Sequence, residues 1–272
     1  MEPWTEGTIS SSKPAEFIPY VTFASNEEVG FKMTATSGYT ISGLEYSVNN
    51  GEWKPIPPNG ISDGVPFGGS NGNLRLRGKN LYGTATDEYN YAKIFFTSND
   101  ENAKVACTGD IRTLLDYSNY KNVNTSNARF CSLFKDCIQL TSAPALPAKT
   151  LADWCYKSMF YGCTSLTTAP ELKAETLANS CYNSMFYNCI KLESVTMLAT
   201  DVNASDCLYN WLYEAGTDVS ETQRTLTVAS QEAYNKIVDK NYYLPANWKI
   251  GAPNTTVKDK NGNILTSSST TP

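Results

Sequence analysis

Four copies of one motif occupy the middle of the chain: NARFCSLFKDC at 127–137, DWCYKSMFYGC at 153–163, NSCYNSMFYNC at 179–189 and SDCLYNWLYEA at 205–215. Each copy starts 26 residues after the previous one. Self-similarity at a fixed period is the sequence signature of a repeat architecture, in which each unit is too small to close its own core. The units are therefore expected to stack and share one core.

The motif carries the signals of a short helix. Each copy opens with Asn127, Asp153, Asn179 or Ser205, residue types that cap a helix N-terminus through a side-chain oxygen. Apolar residues then follow at helical spacing, as in Tyr156, Met159, Phe160 and Cys163. Asp136, Gly162 or Asn188 precedes the second Cys and tolerates the left-handed conformation that ends a helix. We predict helices of about two turns.

A leucine-rich segment follows each motif, as in LTSAPALPAKTL after the first copy and LTTAPELKAETL after the second. We predict a brief strand there, because Pro144 and Pro170 cannot donate to a β-ladder. Strands lie about 4.8 Å apart whereas packed helices need about 8–10 Å. This mismatch predicts a curved solenoid with strands on the inside and helices on the outside.

The pattern C-x-S-L-T-T-A-P-E-L…A-x-x-L…C-Y-x-S-M-F-x-G-C resembles the BspA-type leucine-rich repeats of bacterial surface proteins, in their 26-residue version, over about residues 128–215. The resemblance implies a leucine-rich-repeat fold, export to the cell surface and a binding role described as adhesion. The chain departs from the pattern at its ends. Arg129 stands where a cysteine is expected, with Cys131 nearby, and Ala215 replaces the last cysteine, as atypical capping units would.

The part before the repeats shows a period of two. Val29, Phe31 and Met33 alternate with polar residues, as do Leu74 and Leu76. Asn50-Gly51 stands between two such runs and is a strong hairpin signal. About seven short strands in roughly 90 residues are typical of an antiparallel sandwich. The predicted fold class is thus α+β, an N-terminal Ig-like β-sandwich followed by a short curved solenoid of helix–strand coils.

Four regions follow from these patterns. We predict a flexible leader at 1–15, the sandwich at 16–108, the repeats with their caps at 109–252, and a terminal hairpin with a tail at 253–272. Ile111, Leu114 and Leu115 can form a short helix over the first repeat. SQEAYNKIVDKN, at 230–241, is expected to form a helix that caps the other end, since an open end would expose apolar surface.

Composition excludes several functions. The chain of 272 residues contains no histidine, so Ser-His-Asp sites, Cys-His sites and nearly all catalytic zinc sites are ruled out. Its acidic residues form no paired motif, and DKNGN at 259–263 lacks the later acidic ligand of a calcium loop. The net charge of −5 argues against nucleic acid as a partner. We predict a protein without enzymatic activity, cofactor or metal.

Eight cysteines leave two interpretations open. The favoured one is a set of small buried core residues at equivalent repeat positions. The alternative is disulfide bonding in an exported protein, with Cys107 and Cys131 as the first candidate pair.

Location and function are expectations of the same kind. The chain shows no apolar run of membrane-spanning length and no signal peptide at its start. We expect an exported protein, at the cell surface or extracellular, with lipid anchoring through a removed segment as one form of attachment. The predicted partner is a host or bacterial surface protein, or a glycan. The alternative function is an accessory carbohydrate-binding component of a surface glycan-utilisation system.

A helical projection of the second copy turns Trp154, Ser158 and Tyr161 away from the core. The next copies place Tyr187 and Tyr213 at the same position as Tyr161. We therefore predict a candidate binding face of Trp154, Tyr161, Tyr187 and Tyr213, with the tyrosines about 10 Å apart. Two alternatives remain. The tyrosines could lie flat and seal the stack, or the small hydroxyl residues Ser142, Thr168 and Ser194 could form the binding face on the other side.

Overall fold

The computed structural model describes residues 20–218 and 224–267. The predicted leader at 1–15 and the end of the predicted tail, 268–272, lie outside the described residues. Among these described residues, strands account for 28% and helices for 9%, with two α-helices. The fold is therefore richer in strands and much poorer in helices than the repeat pattern predicts.

Eight strands precede the repeats and form two antiparallel sheets. A sheet of five strands has the order β4-β3-β6-β1-β8, and a sheet of three has the order β5-β2-β7. The strands are β1 Val21–Ala24, β2 Val29–Ala35, β3 Leu44–Val48, β4 Lys54–Pro55, β5 Gly60–Phe67, β6 Leu74–Gly78, β7 Ala92–Thr97 and β8 Ala106–Thr108. The turn between β3 and β4 is centred on Asn49 and Asn50, both at positive φ, one residue before the Asn-Gly pair that predicted it.

Apolar side chains from alternate strand positions join the two sheets. Phe23 of β1 lies against Phe96 of β7 with ring centroids 5.3 Å apart, and Phe31 of β2 reaches Tyr46 of β3 at 6.2 Å. Phe23, Phe31 and Phe96 are all buried. A sandwich is therefore a plausible description of this part of the fold.

The predicted solenoid of helix–strand coils is wrong. Within the described chain, no α-helix lies between residues 127 and 215, and the motifs consist of consecutive turns. A left-handed residue occurs at every fourth position, as at Trp154, Ser158 and Gly162, where φ is 59°, 53° and 71°. An α-helix needs uninterrupted right-handed residues, so these positions prevent one from forming.

Backbone hydrogen bonds in the motifs alternate between two directions. The odd-numbered Tyr161 donates to Ser158 O, three residues earlier in its own unit. The even-numbered Phe160 donates instead to Met185 O of the next unit, at 2.9 Å. Neighbouring units are thus joined directly by their backbones, at the spacing of paired strands rather than of packed helices.

The other side of the units forms a parallel ladder. Ser142, Thr168 and Ser194 pair in sequence through single bridges, and the first full strand of the ladder, β9 Ser194–Met197, follows the third copy. β9 pairs with β10 Arg224–Val228, which pairs with β11 Thr255–Asp259. In the region of the predicted terminal hairpin, β11 joins this sheet, and the chain turns back through a bridge between Lys258 and Ile264.

Both ends of the stacked units are covered. The segment before β7 pairs with the first unit: Arg129 N donates a hydrogen bond to Tyr82 O, and Thr84 N donates one to Arg129 O. The short helix α1 Thr113–Asp116 packs against β6, and just before it Ile111 N donates to Ala145 O, in the segment that follows the first motif. At the far end lie α2 Gln231–Val238 and the buried Trp248, whose indole N–H donates to Ala215 O at 3.0 Å. Three 3₁₀ turns, Gly69–Asn71, Tyr120–Asn122 and Ala246–Trp248, complete the described elements.

Candidate functional site

Side chains along each motif alternate two inward and two outward. In the second copy Cys155, Tyr156, Met159 and Phe160 are buried, whereas Lys157 and Ser158 between them are half-buried. Since the units stack in register, equivalent residues form columns across the protein. We call the outward columns the outer face, which consists of Asp153, Trp154, Lys157, Ser158, Tyr161, Asn179, Ser180, Asn183, Ser184, Tyr187, Asn188, Ser205, Asp206, Tyr209, Asn210, Tyr213 and Glu214.

Tyr161, Tyr187 and Tyr213 form one column of stacked rings, hereafter the tyrosine column. Ring centroids are 4.7 Å apart between Tyr161 and Tyr187, and 4.9 Å between Tyr187 and Tyr213. The predicted spacing of about 10 Å is wrong, because it assumed packed helices. The ammonium of Lys135, at the equivalent position in the first copy, lies 5.0 Å from the Tyr161 ring and closes that end of the column.

The ring stacking decides which surfaces of the column a ligand can reach. Both faces of the Tyr187 ring are covered by its neighbours, so this side chain offers only its edge and its hydroxyl group. Loss of hydration, and then the nearby Glu214 carboxylate, raise the pKa of the Tyr187 phenol. Tyr213, at the end of the column, is 43% exposed.

Trp154 does not join the tyrosine column. It belongs to the column of Ser180 and Asp206, and its ring lies 6.0 Å from the guanidinium carbon of Arg129. Its backbone is left-handed, which a bulky residue rarely adopts. The structure thus brings together three of the four predicted site residues and places the fourth at another edge of the outer face.

Two exposed tyrosines, Tyr209 and Tyr242, are not among the site residues predicted from the sequence. Tyr209, 36% exposed, lies on the outer face at the position of Lys157 and Asn183. Its ring is 5.4 Å from that of Tyr242, which is 67% exposed and whose carbonyl accepts a hydrogen bond from Asn210 N. The alternation of two inward and two outward residues could have identified Tyr209. No local signal indicates Tyr242, because β10 and α2 lie between it and Tyr209 in the sequence.

The outer face uses a small set of residue types. All of its positions except Asp153, Lys157, Asp206 and Glu214 are Tyr, Trp, Ser or Asn. Tyr and Trp provide large contact areas at low conformational entropy cost, and Ser and Asn provide adaptable hydrogen bonds. Antibody paratopes have a similar composition for these reasons. Chemically, the arrangement is suited to recognition.

The competing face of small hydroxyl residues is already engaged within the protein. Ser142 Oγ accepts from Cys107 N at 3.0 Å and donates to Cys107 O at 2.8 Å. The backbones of Ser142, Thr168 and Ser194 pair with one another; Ser142 and Ser194 are half-buried, and Thr168 is exposed. The Ser142 hydroxyl, at least, is thereby already bonded at its donor and at one acceptor position.

The cysteines do not provide reactive groups. All eight are free and buried, and the suggested bond between Cys107 and Cys131 is not formed. Burial raises the pKa of Cys131 to about 12 and that of Cys207 to about 11, so both remain thiols at neutral pH. Since the thiolate is the nucleophilic form, neither is activated for catalysis.

The DKNGN segment closes on itself. The Asp259 carboxylate accepts from Asn261 N at 2.8 Å, from Asn263 N at 2.9 Å and from Asn263 Nδ2 at 2.8 Å. These bonds lower the pKa of Asp259, with the Asn263 side chain as the largest cause. Across residues 20–218 and 224–267, no three His, Cys, Asp or Glu side chains gather as metal ligands would.

None of the helices in the described parts of the chain is long and apolar enough to cross a membrane. Comparisons with protein-family models, with curated proteins and with solved structures find no match to this chain.

Proposed function

We propose that this protein is a non-catalytic binding protein that recognises its ligand through the outer face of the stacked motifs. The observation that carries the proposal is the composition of this face, in which Tyr, Trp, Ser and Asn occupy thirteen of the seventeen outward positions in the second to fourth copies. A surface that served only to keep the protein in solution would consist mostly of charged residues such as Lys and Glu. A face built from the residue types of a paratope is suited to specific contact.

The backbone supports this use of the face. Hydrogen bonds between units hold the outward residues, as between Ser158 N and Asn183 O at 2.9 Å and between Gly162 N and Tyr187 O at 2.8 Å. The tyrosine rings are fixed by stacking on one another. Such a surface loses little conformational freedom on binding, and preorganisation of this kind increases affinity.

Contact would centre on the end of the outer face that carries Tyr209 and Tyr213, together with the neighbouring Tyr242. Tyr209 and Tyr213 are the most exposed aromatic residues of the face, Tyr242 beside them is more exposed still, and tyrosine is enriched among the residues that contribute most to binding energy at protein interfaces. We propose a protein of a host or bacterial surface as the ligand, and an exported, surface-associated location for this chain. A glycan is the second candidate, because the outer side of the Tyr213 ring can pack against the apolar face of a sugar.

The test uses a double variant, Tyr209→Ser with Tyr213→Ser, and a matched control, Tyr82→Ser with Tyr89→Ser. The control tyrosines are 66% and 72% exposed and lie before β7, outside the outer face. Both proteins and the unchanged chain are applied to arrays of extracellular-matrix proteins and of glycans. The proposal is supported if the affinity for a ligand falls at least tenfold in the first variant and not in the control. Equal loss by both variants, or binding to neither array, contradicts it. Binding to glycans alone favours the accessory carbohydrate-binding function.

The absence of catalysis is a separate part of the proposal, and it rests on the absence of histidine from the sequence. It is tested on a broad panel of glycosides and esters. Turnover that disappears on substitution of one Asp or Glu would overturn it.

A further inference from the structure

A second surface of unusual composition lies outside the repeats, on the outer side of the five-stranded sheet. In β6, Leu74 and Leu76 are buried, so Arg75 and Arg77 between them face the other way. Tyr20, Trp53 and Tyr117 lie over these arginines. We call Tyr20, Trp53, Arg75, Arg77 and Tyr117 the arginine–aromatic face; all five are half-buried.

Its members alternate between ring and guanidinium. The Arg75 guanidinium carbon is 5.6 Å from the Tyr20 ring and 5.3 Å from the Trp53 ring. The Arg77 guanidinium carbon is 4.2 Å from the ring centroids of both Trp53 and Tyr117. Each ring attracts the guanidinium cation through the negative charge of its π face. Together these contacts fix the long arginine side chains, whose freedom would otherwise be lost on binding.

The charges of this face are not fully paired. Arg77 Nε donates to the Glu45 carboxylate at 2.6 Å, and Lys79 at the next outward position lies 4.0 Å from Asp116. Arg75 donates a hydrogen bond to the Ser47 hydroxyl, at 3.4 Å, and has no carboxylate partner among the described residues. Its Nε is shielded from solvent without a hydrogen-bond partner. A guanidinium that is held in place and lacks a counter-charge is suited to accept one from outside.

We propose that the arginine–aromatic face is a second docking surface, and that its occupant is an acidic segment of a partner protein. A carboxylate of that segment pairs with Arg75 through the outer edge of the guanidinium, and a neighbouring side chain packs on Trp53. Trp, Tyr and Arg are the residue types enriched at the energetic centres of protein interfaces, and this face consists of them alone. The attraction is local, since the whole chain carries a net charge of −5 and repels polyanions at long range.

The probe is fluorescein-labelled poly-L-glutamate, with binding followed by fluorescence anisotropy at about 0.05 M salt, which screens the long-range repulsion from the net charge of the chain but leaves contact pairs largely intact. We expect the unchanged protein to bind, and we expect salt at about 0.15 M to weaken binding, as for an exposed charge pair. Arg75→Gln should lower the affinity about tenfold, the effect of losing one charge-assisted pair. The matched control is Arg129→Gln, which changes the net charge equally and removes another arginine that contacts a ring, that of Trp154. It should change the affinity less than about twofold.

Two further measurements keep the result decisive. Arg75→Lys retains the charge but loses the planar fork, so it should give an affinity between those of Arg75→Gln and the unchanged protein. If Arg75→Gln does not fold, the comparison of Arg75→Lys with the unchanged protein tests the proposal. Polygalacturonate serves as a carboxylated glycan. Selective loss in the two Arg75 variants supports the proposal. It is overturned if poly-L-glutamate does not bind, if Arg129→Gln causes the same loss, or if polygalacturonate alone binds.

Discussion

Phe160 and Phe186, which occupy the same position in successive motifs, stack with their ring centroids 5.6 Å apart and their planes within 2° of parallel. Phe134 continues the column on the other side of Phe160 at 5.5 Å. All three rings are fully buried. The repeat thus builds its core from equivalent residues placed directly above one another, at a spacing that the hydrogen bonds between units impose.

Replacing Phe160 with Ala should lower the free energy of unfolding by about 3–5 kcal/mol, because the change leaves a cavity between two rings. Urea denaturation monitored by circular dichroism measures the loss. Phe160→Leu is the matched control, since Leu212 occupies the same position in the fourth motif, and it should cost clearly less. A loss below about 1 kcal/mol for the Ala variant would show that the site is not in a packed core.

The tyrosine column makes a graded prediction. Tyr187→Ser removes two ring contacts and should lower the free energy of unfolding by about 1–3 kcal/mol, whereas Tyr213→Ser removes one and should cost about half as much. Chemical denaturation of the two variants provides the comparison. Equal losses would mean that the stacked rings contribute nothing beyond their individual burial.

The third prediction concerns Gly162, which occupies one of the left-handed positions of the motifs. Its φ is 71°, and a Cβ there would lie 2.7 Å from Asp136 Oδ1. Gly162→Ala combines backbone strain of about 1–2 kcal/mol with this close contact. Gly251→Ala is the control, because φ is 84° there but nothing lies within 4 Å of the added Cβ.

Thermal or chemical denaturation should therefore find Gly162→Ala less stable than Gly251→Ala. The difference measures the contact with Asp136, whose carboxylate also pairs with Lys93 at 3.0 Å. If the two variants are equally stable, the carboxylate moves aside without cost, and backbone strain alone explains the glycine.

The period of the repeat and the identity of its buried residues could be predicted from the sequence, but the local backbone could not. Buried pairs such as Cys155–Tyr156 and Met159–Phe160 follow a period of four. Over two turns this period includes the same i, i+3, i+4 and i+7 positions as an amphipathic helix. The distinguishing feature is the left-handed residue at every fourth position. Ser158 and Trp154 give no compositional sign of it, because neither type favours that conformation.

The candidate surfaces were predictable to different degrees. The tyrosine column follows from the repeat period, since equivalent residues of stacked units must be neighbours. Its spacing differs from the predicted value because the units are joined like paired strands and not like packed helices. The contact between Trp53 and Arg77 joins residues of different strands and depends on strand pairing, which the alternation of apolar residues does not specify. Tyr209 and Tyr242 meet only because the segment after α2 returns to the last motif.

Buried thiols predict how stability depends on pH. The folded protein raises the pKa of Cys131 to about 12, whereas an unfolded chain has a cysteine pKa of about 8.5. Above about pH 8.5 the unfolded chain therefore releases a proton that the folded chain retains, so the unfolded state is favoured as pH rises. The contribution of this thiol is fully present below that pH and is lost progressively above it.

One such thiol should lower the free energy of unfolding by about 1 kcal/mol between pH 8.5 and 9.5, and other buried cysteines add to the decline. Denaturation by urea under reducing conditions at the two pH values measures this change, and the range stays below the ordinary titration of tyrosine. Cys131→Ala is the control, because it removes one titrating thiol and should reduce the decline by about 1 kcal/mol whatever its own stability. An identical decline in the variant and the unchanged protein would mean that Cys131 ionises equally in both states, which its buried position at 1% exposure argues against.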